Sequence, residues 1–209
     1  MSYIVTIDPE RAEGEVLTMY RRQQAHFGYL PNYARAFSHR PDVMTAWASL
    51  LATIRRHVEP RRFELVTLAA ARALGNTYCA LAHVRALGEL MGPDAAREAV
   101  TGEGEALSEA ERAMMAFAGK VACRAQAVTA EDIDGLRAQG LADDEIFDLV
   151  AVVAARAFFT RILDGVGAEA DAAYRELPAD LVASLTVGRP IARTAGEGIS
   201  DEVPARSGR

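Results

Sequence analysis

With 209 residues, 50% of them apolar, and a mean hydropathy of +0.01, the chain carries enough apolar material for the core of one domain, or at most two small ones. A net charge of −6 leaves no basic footprint for nucleic acid or an anionic membrane, and no run reaches the ~18 apolar residues of a membrane-spanning helix. The opening Met1-Ser-Tyr-Ile-Val-Thr-Ile-Asp-Pro9 has no basic start and no apolar stretch of signal-peptide length, which predicts a cytoplasmic chain. Two cysteines, Cys79 and Cys123, are too few for a disulfide scaffold or, alone, a zinc site.

Residues 1–9 read as an extended arm, and Pro9 with Glu10 opens a first helix to about Phe27, followed by a turn over Gly28 to Asn32. Pro41-Asp42 precedes an amphipathic helix carrying Val43, Trp47, Leu50, Leu51 and Ile54 at helical spacing. Pro60 starts the next, an apolar run from Phe63 to Leu74 that Gly75 stops. Asn76 then caps a helix running to Met91, where Gly92-Pro93 ends it. Asp94 to Val100 is a short helix. Ser108 with Glu111 forms a capping box for a helix to about Cys123, and Thr129 with Asp132 caps another that stops at Gly140.

Leu141 to Val166 is the most apolar helix, with apolar residues around nearly its whole circumference, which predicts a central position. From Gly188 the sequence turns Gly-, Pro- and charge-rich, predicting a helical domain over 1–187 and a flexible or subunit-wrapping tail over 188–209. Strand-like alternation never persists, so the fold class is all-α. One internal echo stands out: Glu64 to Leu74 matches Asp148 to Phe158 at six of eleven positions, which raises the expectation of a duplicated helical hairpin. In the second copy Leu163 and Gly167 take the places of Cys79 and His83, so only the first could hold a site.

That site is expected at the break between the two motif helices. Cys79 falls at N3 of the helix capped by Asn76, where free backbone N–H groups and the positive dipole end favour a thiolate and predict a lowered thiol pKa. His83, four residues on, shares its face and could take the thiol proton or stand as an imidazolium beside the sulfur. An antiparallel hairpin would bring Glu64 back over both. Tyr78 either holds its hydroxyl toward the site or packs; Cys123 reads as a core residue.

The order Glu64, Asn76, Cys79, His83 resembles the signature of the alkylhydroperoxidase D and carboxymuconolactone decarboxylase-like superfamily, and Gly28-Tyr-Leu-Pro-Asn32, His39-Arg-Pro41, Gly140-Leu-x-Asp-x-Glu-Ile146 and Leu185-Thr-Val-Gly-Arg-Pro190 extend the likeness over roughly residues 10–190. In the peroxidase branch the position of Asn76 holds a second, resolving cysteine, so the sequence is similar to a single-cysteine, peroxidase-related branch. The resemblance implies an alkylhydroperoxidase D-like helical bundle, no cofactor or metal, a trimer or hexamer, and catalysis by Cys79, His83 and Glu64 supported by Asn76 and Tyr78. Two activities follow from it. One is reduction of a hydroperoxide at Cys79, resolved by an external thiol. The other is cofactor-free lyase or hydrolase chemistry on a small organic acid or lactone, with His83 and Glu64 moving protons. A non-catalytic helical oligomer with a vestigial site is the third reading. The exposed aromatic surface expected for a partner subunit comprises Phe27, Tyr29, Phe37 and Trp47.

Overall fold

The computed structural model describes residues 2–194, and among them the chain is helical throughout, with no named strand. The helices are α1 Gly14–Phe27, α2 Asn32–Ala36, α3 Pro41–Arg55, α4 Pro60–Ala73, α5 Thr77–Met91, α6 Pro93–Thr101, α7 Glu109–Arg124, α8 Ala130–Ala138, α9 Asp143–Val166 and α10 Ala179–Leu185. No helix of the described residues is long and apolar enough to cross a membrane.

Local chemistry sets most boundaries. Pro41, Pro60 and Pro93 stand at helix starts, where the missing N–H costs nothing. Glu59 caps α4 by accepting from the Arg61 and Arg62 amides. Both expected capping boxes form, Ser108 with Glu111 and Thr129 with Asp132. At the end of α4 the Asn76 amide donates to Ala71 O at 2.9 Å and the Gly75 amide to Arg72 O at 3.0 Å, with Gly75 at φ 70°. This paired reversal satisfies the last carbonyls and turns the chain directly into α5.

The helix α4 lies at the centre, packed against α5, α7 and α9. Every residue from Phe63 to Leu68 is buried, as are Ala70 and Ala71. Leu65, Leu68 and Ala71 belong to a core shared with α1, α5 and α6, whereas Phe63, Val66 and Ala70 belong to a second core with Met114, Leu149 and Val153 from α7 and α9. One helix with two buried faces therefore joins both halves.

Leu141 to Val166 supplies α9, which packs against α3, α4 and α7, yet one of its faces stays open in the single chain. Phe147 is 71% exposed, Phe158 45% and Val150 37%, forming one outward stripe on α9. Sequence hydrophobicity cannot tell a face buried in the chain from a face merely apolar. Nor is the hairpin repeated: α9 runs unbroken past Phe159, the position that matches Gly75, so the echo is confined to helix sequence. The first helix begins later than expected, after a short 3₁₀ turn at Pro9–Arg11, and the turn after Gly28 passes into α2.

Both ends of the described residues lie over the α5 and α9 termini. Tyr3 N donates to Val166 O at 2.7 Å. The segment expected as a tail starts packed: Gly188 N donates to Thr77 Oγ1 at 2.9 Å, Arg189 to Asp164 O at 3.2 Å, and Ala192 N to Ala170 O at 2.8 Å. A Cβ on Gly188 would meet Gly75 O at 2.0 Å, so only glycine fits where this strap crosses the motif hinge. The remainder of the expected tail, 195–209, lies outside the described residues.

Candidate functional site

The α4–α5 hairpin brings the three motif residues to one cavity of about 740 Å³, lined also by α3, α9 and the α1 end. Glu64 sits in the first turns of α4 and His83 in the second turn of α5. The hairpin closes them so that His83 Nδ1 and Glu64 Oε2 are 2.5 Å apart. A carboxylate at Nδ1 selects the tautomer with the proton there, leaving Nε2 as the basic atom. Arg55 stands 3.8 Å from the other Glu64 oxygen. Burial and the nearby Arg156 charge lower the His83 pKa despite Glu64, so the ring is neutral near pH 7.

Cys79 is 2% exposed. Asn76 Oδ1 accepts from the Cys79 amide at 2.8 Å, the expected cap, and Asn76 Nδ2 donates to Asp164 at 2.8 Å. The side chain hydrogen-bonded to the sulfur is not His83 but Arg156, whose Nη1 is 3.7 Å from Sγ. The expectation of a lowered thiol pKa is also corrected: complete burial pushes the Cys79 thiol up, and the Arg156 charge and hydrogen bond recover only part of that cost. The helix N-terminus helps a thiolate when water or an ion can also solvate it; a dry sulfur loses more than the dipole returns.

Arg156 is the residue that the motif reading missed. It projects from α9, is 5% exposed, and its guanidinium carbon lies 5.5 Å from the Trp47 ring centroid and 5.4 Å from that of Phe159. An arginine in the most apolar helix was the available signal, because a charge among Val, Ala and Phe is costly unless used. In the internal echo it matches Arg72.

Tyr78 lines the same cavity, yet its hydroxyl donates to the buried Asp171 at 2.5 Å and accepts from Tyr33 N at 3.2 Å. Asp171 also takes Tyr29 OH at 3.2 Å and the Asn32 amide at 2.7 Å. Burial first, then Asp171, pushes the Tyr29 phenol up to about 12. This network holds α2 against α5. The aromatic expectations divide: Phe37 and Trp47 both stack with Phe159, at 5.5 and 4.3 Å between centroids, and Trp47 lines the cavity, whereas Phe27, also at the cavity, keeps 39% exposure.

Cys123 was expected in the core and is exposed; its thiol donates to Ala73 O at 2.9 Å, so α7 does reach the motif turn. Among the described residues no group of His, Cys, Asp and Glu could hold a metal ion.

Residues 41–101 match the carboxymuconolactone decarboxylase family. No curated protein matches the chain. Solved structures share the fold: a peroxidase-related protein from Ralstonia eutropha JMP134, with an alkylhydroperoxidase D core, superposes with a TM-score of 0.71 at 21% identity, covering 90% of this chain and 98% of that one. A peroxidase-related protein from Silicibacter sp. TM1040 gives 0.69 at 20% identity over 82% and 94%. The debrominase Bmp8, as a cysteine-to-alanine variant in complex with 2,3,4-tribromopyrrole, gives 0.70 at 19% identity over 87% and 96%. The family match spans α3 to α6, which include the motif hairpin, and the solved structures share the all-α fold of this chain.

Proposed function

We propose that this chain is a thiol-dependent, peroxidase-like oxidoreductase in which Cys79 reduces a small hydroperoxide and an external thiol resolves the product. The observation that carries the reading is the meeting of Cys79, Arg156 and the His83–Glu64 pair at one cavity. Each supplies a separate need. His83 Nε2 is a neutral base one helical turn from Cys79, Glu64 fixes its tautomer, and Arg156 offers positive charge to the sulfur as the proton leaves. The raised thiol pKa makes ionisation a step coupled to substrate entry.

The thiolate attacks the outer peroxide oxygen, the O–O bond breaks, the departing alkoxide takes the proton from His83, and Cys79 becomes a sulfenic acid. A first external thiol displaces water to give a mixed disulfide, and a second releases Cys79 as thiol. Asn76 in place of a second motif cysteine is what calls for an outside reductant. The apolar α9 stripe of Phe147, Val150 and Phe158 supports a homo-oligomer, a trimer or hexamer, and light scattering gives the mass that checks it.

Dimedone labelling of Cys79 after one equivalent of cumene hydroperoxide, with thiol-dependent turnover abolished in Cys79→Ser, is the expected result. Unlabelled Cys79 with no peroxide consumed overturns the reading. A second reading draws on the debrominase neighbour and the aromatic cavity wall: the Cys79 thiolate would take bromine from a haloarene, whose carbon gains a proton, one external thiol would displace bromide to form a mixed disulfide, and a second would release Cys79 as thiol. Bromide release from a bromopyrrole separates the two.

A further inference from the structure

Arg156 has more hydrogen-bonding capacity than the described residues use. One nitrogen reaches Cys79 at 3.7 Å, Nε is buried with no acceptor, and no described carboxylate lies within 4.0 Å of the guanidinium. The acid in the same cavity, Glu64, is committed to His83 and faces Arg55. The rings of Trp47 and Phe159 lie near the guanidinium carbon, which holds it in a low-dielectric wall. A permanent cation so placed is costly without an anion, and the planar fork of N–H donors matches a carboxylate.

We propose that Arg156 is the anion receptor of this cavity and that the hydroperoxide reduced there is carried on a flat, unsaturated organic acid, bound through its carboxylate with its body against Trp47, Phe159 and Tyr33. The proposal rests on the reading that the Cys79 cavity is the substrate site. Size and lining fit: about 740 Å³ is room for a molecule of one or two rings, and six lining residues are aromatic, Phe27, Tyr33, Trp47, Tyr78, Phe159 and Tyr174. The charge balance favours a monoanion: Arg55, Arg85 and Arg156 line the cavity against Glu64 and Glu89, which leaves one formal positive charge to neutralise. Cys79 alone does not replace the ligand. Its sulfur contacts a single Arg156 nitrogen, and an acid bound at the remaining N–H groups would leave the sulfur facing the substrate body.

Trp47 is the only tryptophan in the chain, so its emission reports directly on the cavity. The full chain is titrated with benzoate, with its neutral isostere benzamide, and with inorganic phosphate. Benzoate is expected to change Trp47 emission saturably and to bind at least about tenfold more tightly than benzamide, the ratio for one charge-assisted hydrogen bond. Phosphate is expected to produce no change. Arg156→Gln is expected to weaken benzoate at least about tenfold while leaving benzamide within about threefold, and Arg156→Lys to restore part of the difference. Equal binding of benzoate and benzamide by the wild-type protein overturns the proposal without any variant, so a poorly folded Arg156→Gln does not shelter it. Tighter phosphate than benzoate overturns the substrate class. Benzoate binding without peroxide turnover would remove the peroxidase reading alone, and turnover of cumene hydroperoxide without selective benzoate binding would remove the receptor alone.

Discussion

Asn76 is the residue at which the stability of the site can be measured apart from its chemistry. It is 1% exposed and makes two bonds in opposite senses: Oδ1 accepts from the Cys79 amide at 2.8 Å and Nδ2 donates to Asp164 at 2.8 Å. Asn76→Ala removes a helix cap worth about 1 kcal/mol and a hydrogen bond to a half-buried carboxylate worth about 1.5 kcal/mol, so a loss of about 2.5 kcal/mol is expected. In a domain of this size that lowers Tm by roughly 5–10 °C. Asn76→Asp keeps the acceptor, loses the donor and sets a second carboxylate against Asp164, so its deficit should shrink as pH falls and one of the two acids is protonated. Urea unfolding of the three proteins at pH 7 and pH 5 is the assay. An Asn76→Ala deficit below about 0.5 kcal/mol would refute the account, since neither bond could then carry its ordinary value.

Three other outcomes follow from the same geometry. Alkylation of Cys79 in the native protein should have a pH midpoint above that of free cysteine, and Arg156→Gln should raise it further, because burial pushes the thiol up and Arg156 opposes it; a midpoint below free cysteine would show that the sulfur is solvated after all. The His83 pKa is depressed, so the unfolded chain binds this proton first, and wild-type stability should fall as pH drops below about 6.5, more steeply than in His83→Gln. Parallel slopes in urea titrations between pH 7.5 and 5.5 would contradict that. Gly188→Val puts a branched side chain where a Cβ alone would approach Gly75 O at 2.0 Å, so the strap should lift from Thr77 and trypsin should cut after Arg193 several-fold faster, the Arg189–Pro190 bond being resistant; an unchanged cleavage rate would show that the strap does not depend on this contact.

Much of the fold is written locally. Pro60, Gly75, Asn76, Ser108, Thr129 and Gly140 punctuate the chain by mechanisms acting within a few residues, and the helices they bound appear as expected. The spacing of Cys79 and His83 on one helix and the cap beneath them are local facts too. The short elements after Gly28 and after Val166 escaped the sequence reading, because α2, the 3₁₀ turn at Ala172–Glu176 and α10 carry too few residues for periodicity to register.

What the sequence by itself determined was therefore the all-α class, the α4–α5 break and the identity of the motif residues, since propensity, capping and helical period depend on near neighbours. Tertiary structure decided the rest. It brought Glu64 to His83 across the Gly75 turn, placed Arg156 beside Cys79 from a helix 77 positions away in sequence, and left one face of α9 open. It also reversed the expected direction of the Cys79 pKa, because a thiol's ionisation depends on the water it loses, and that loss is set by the helices that close over it.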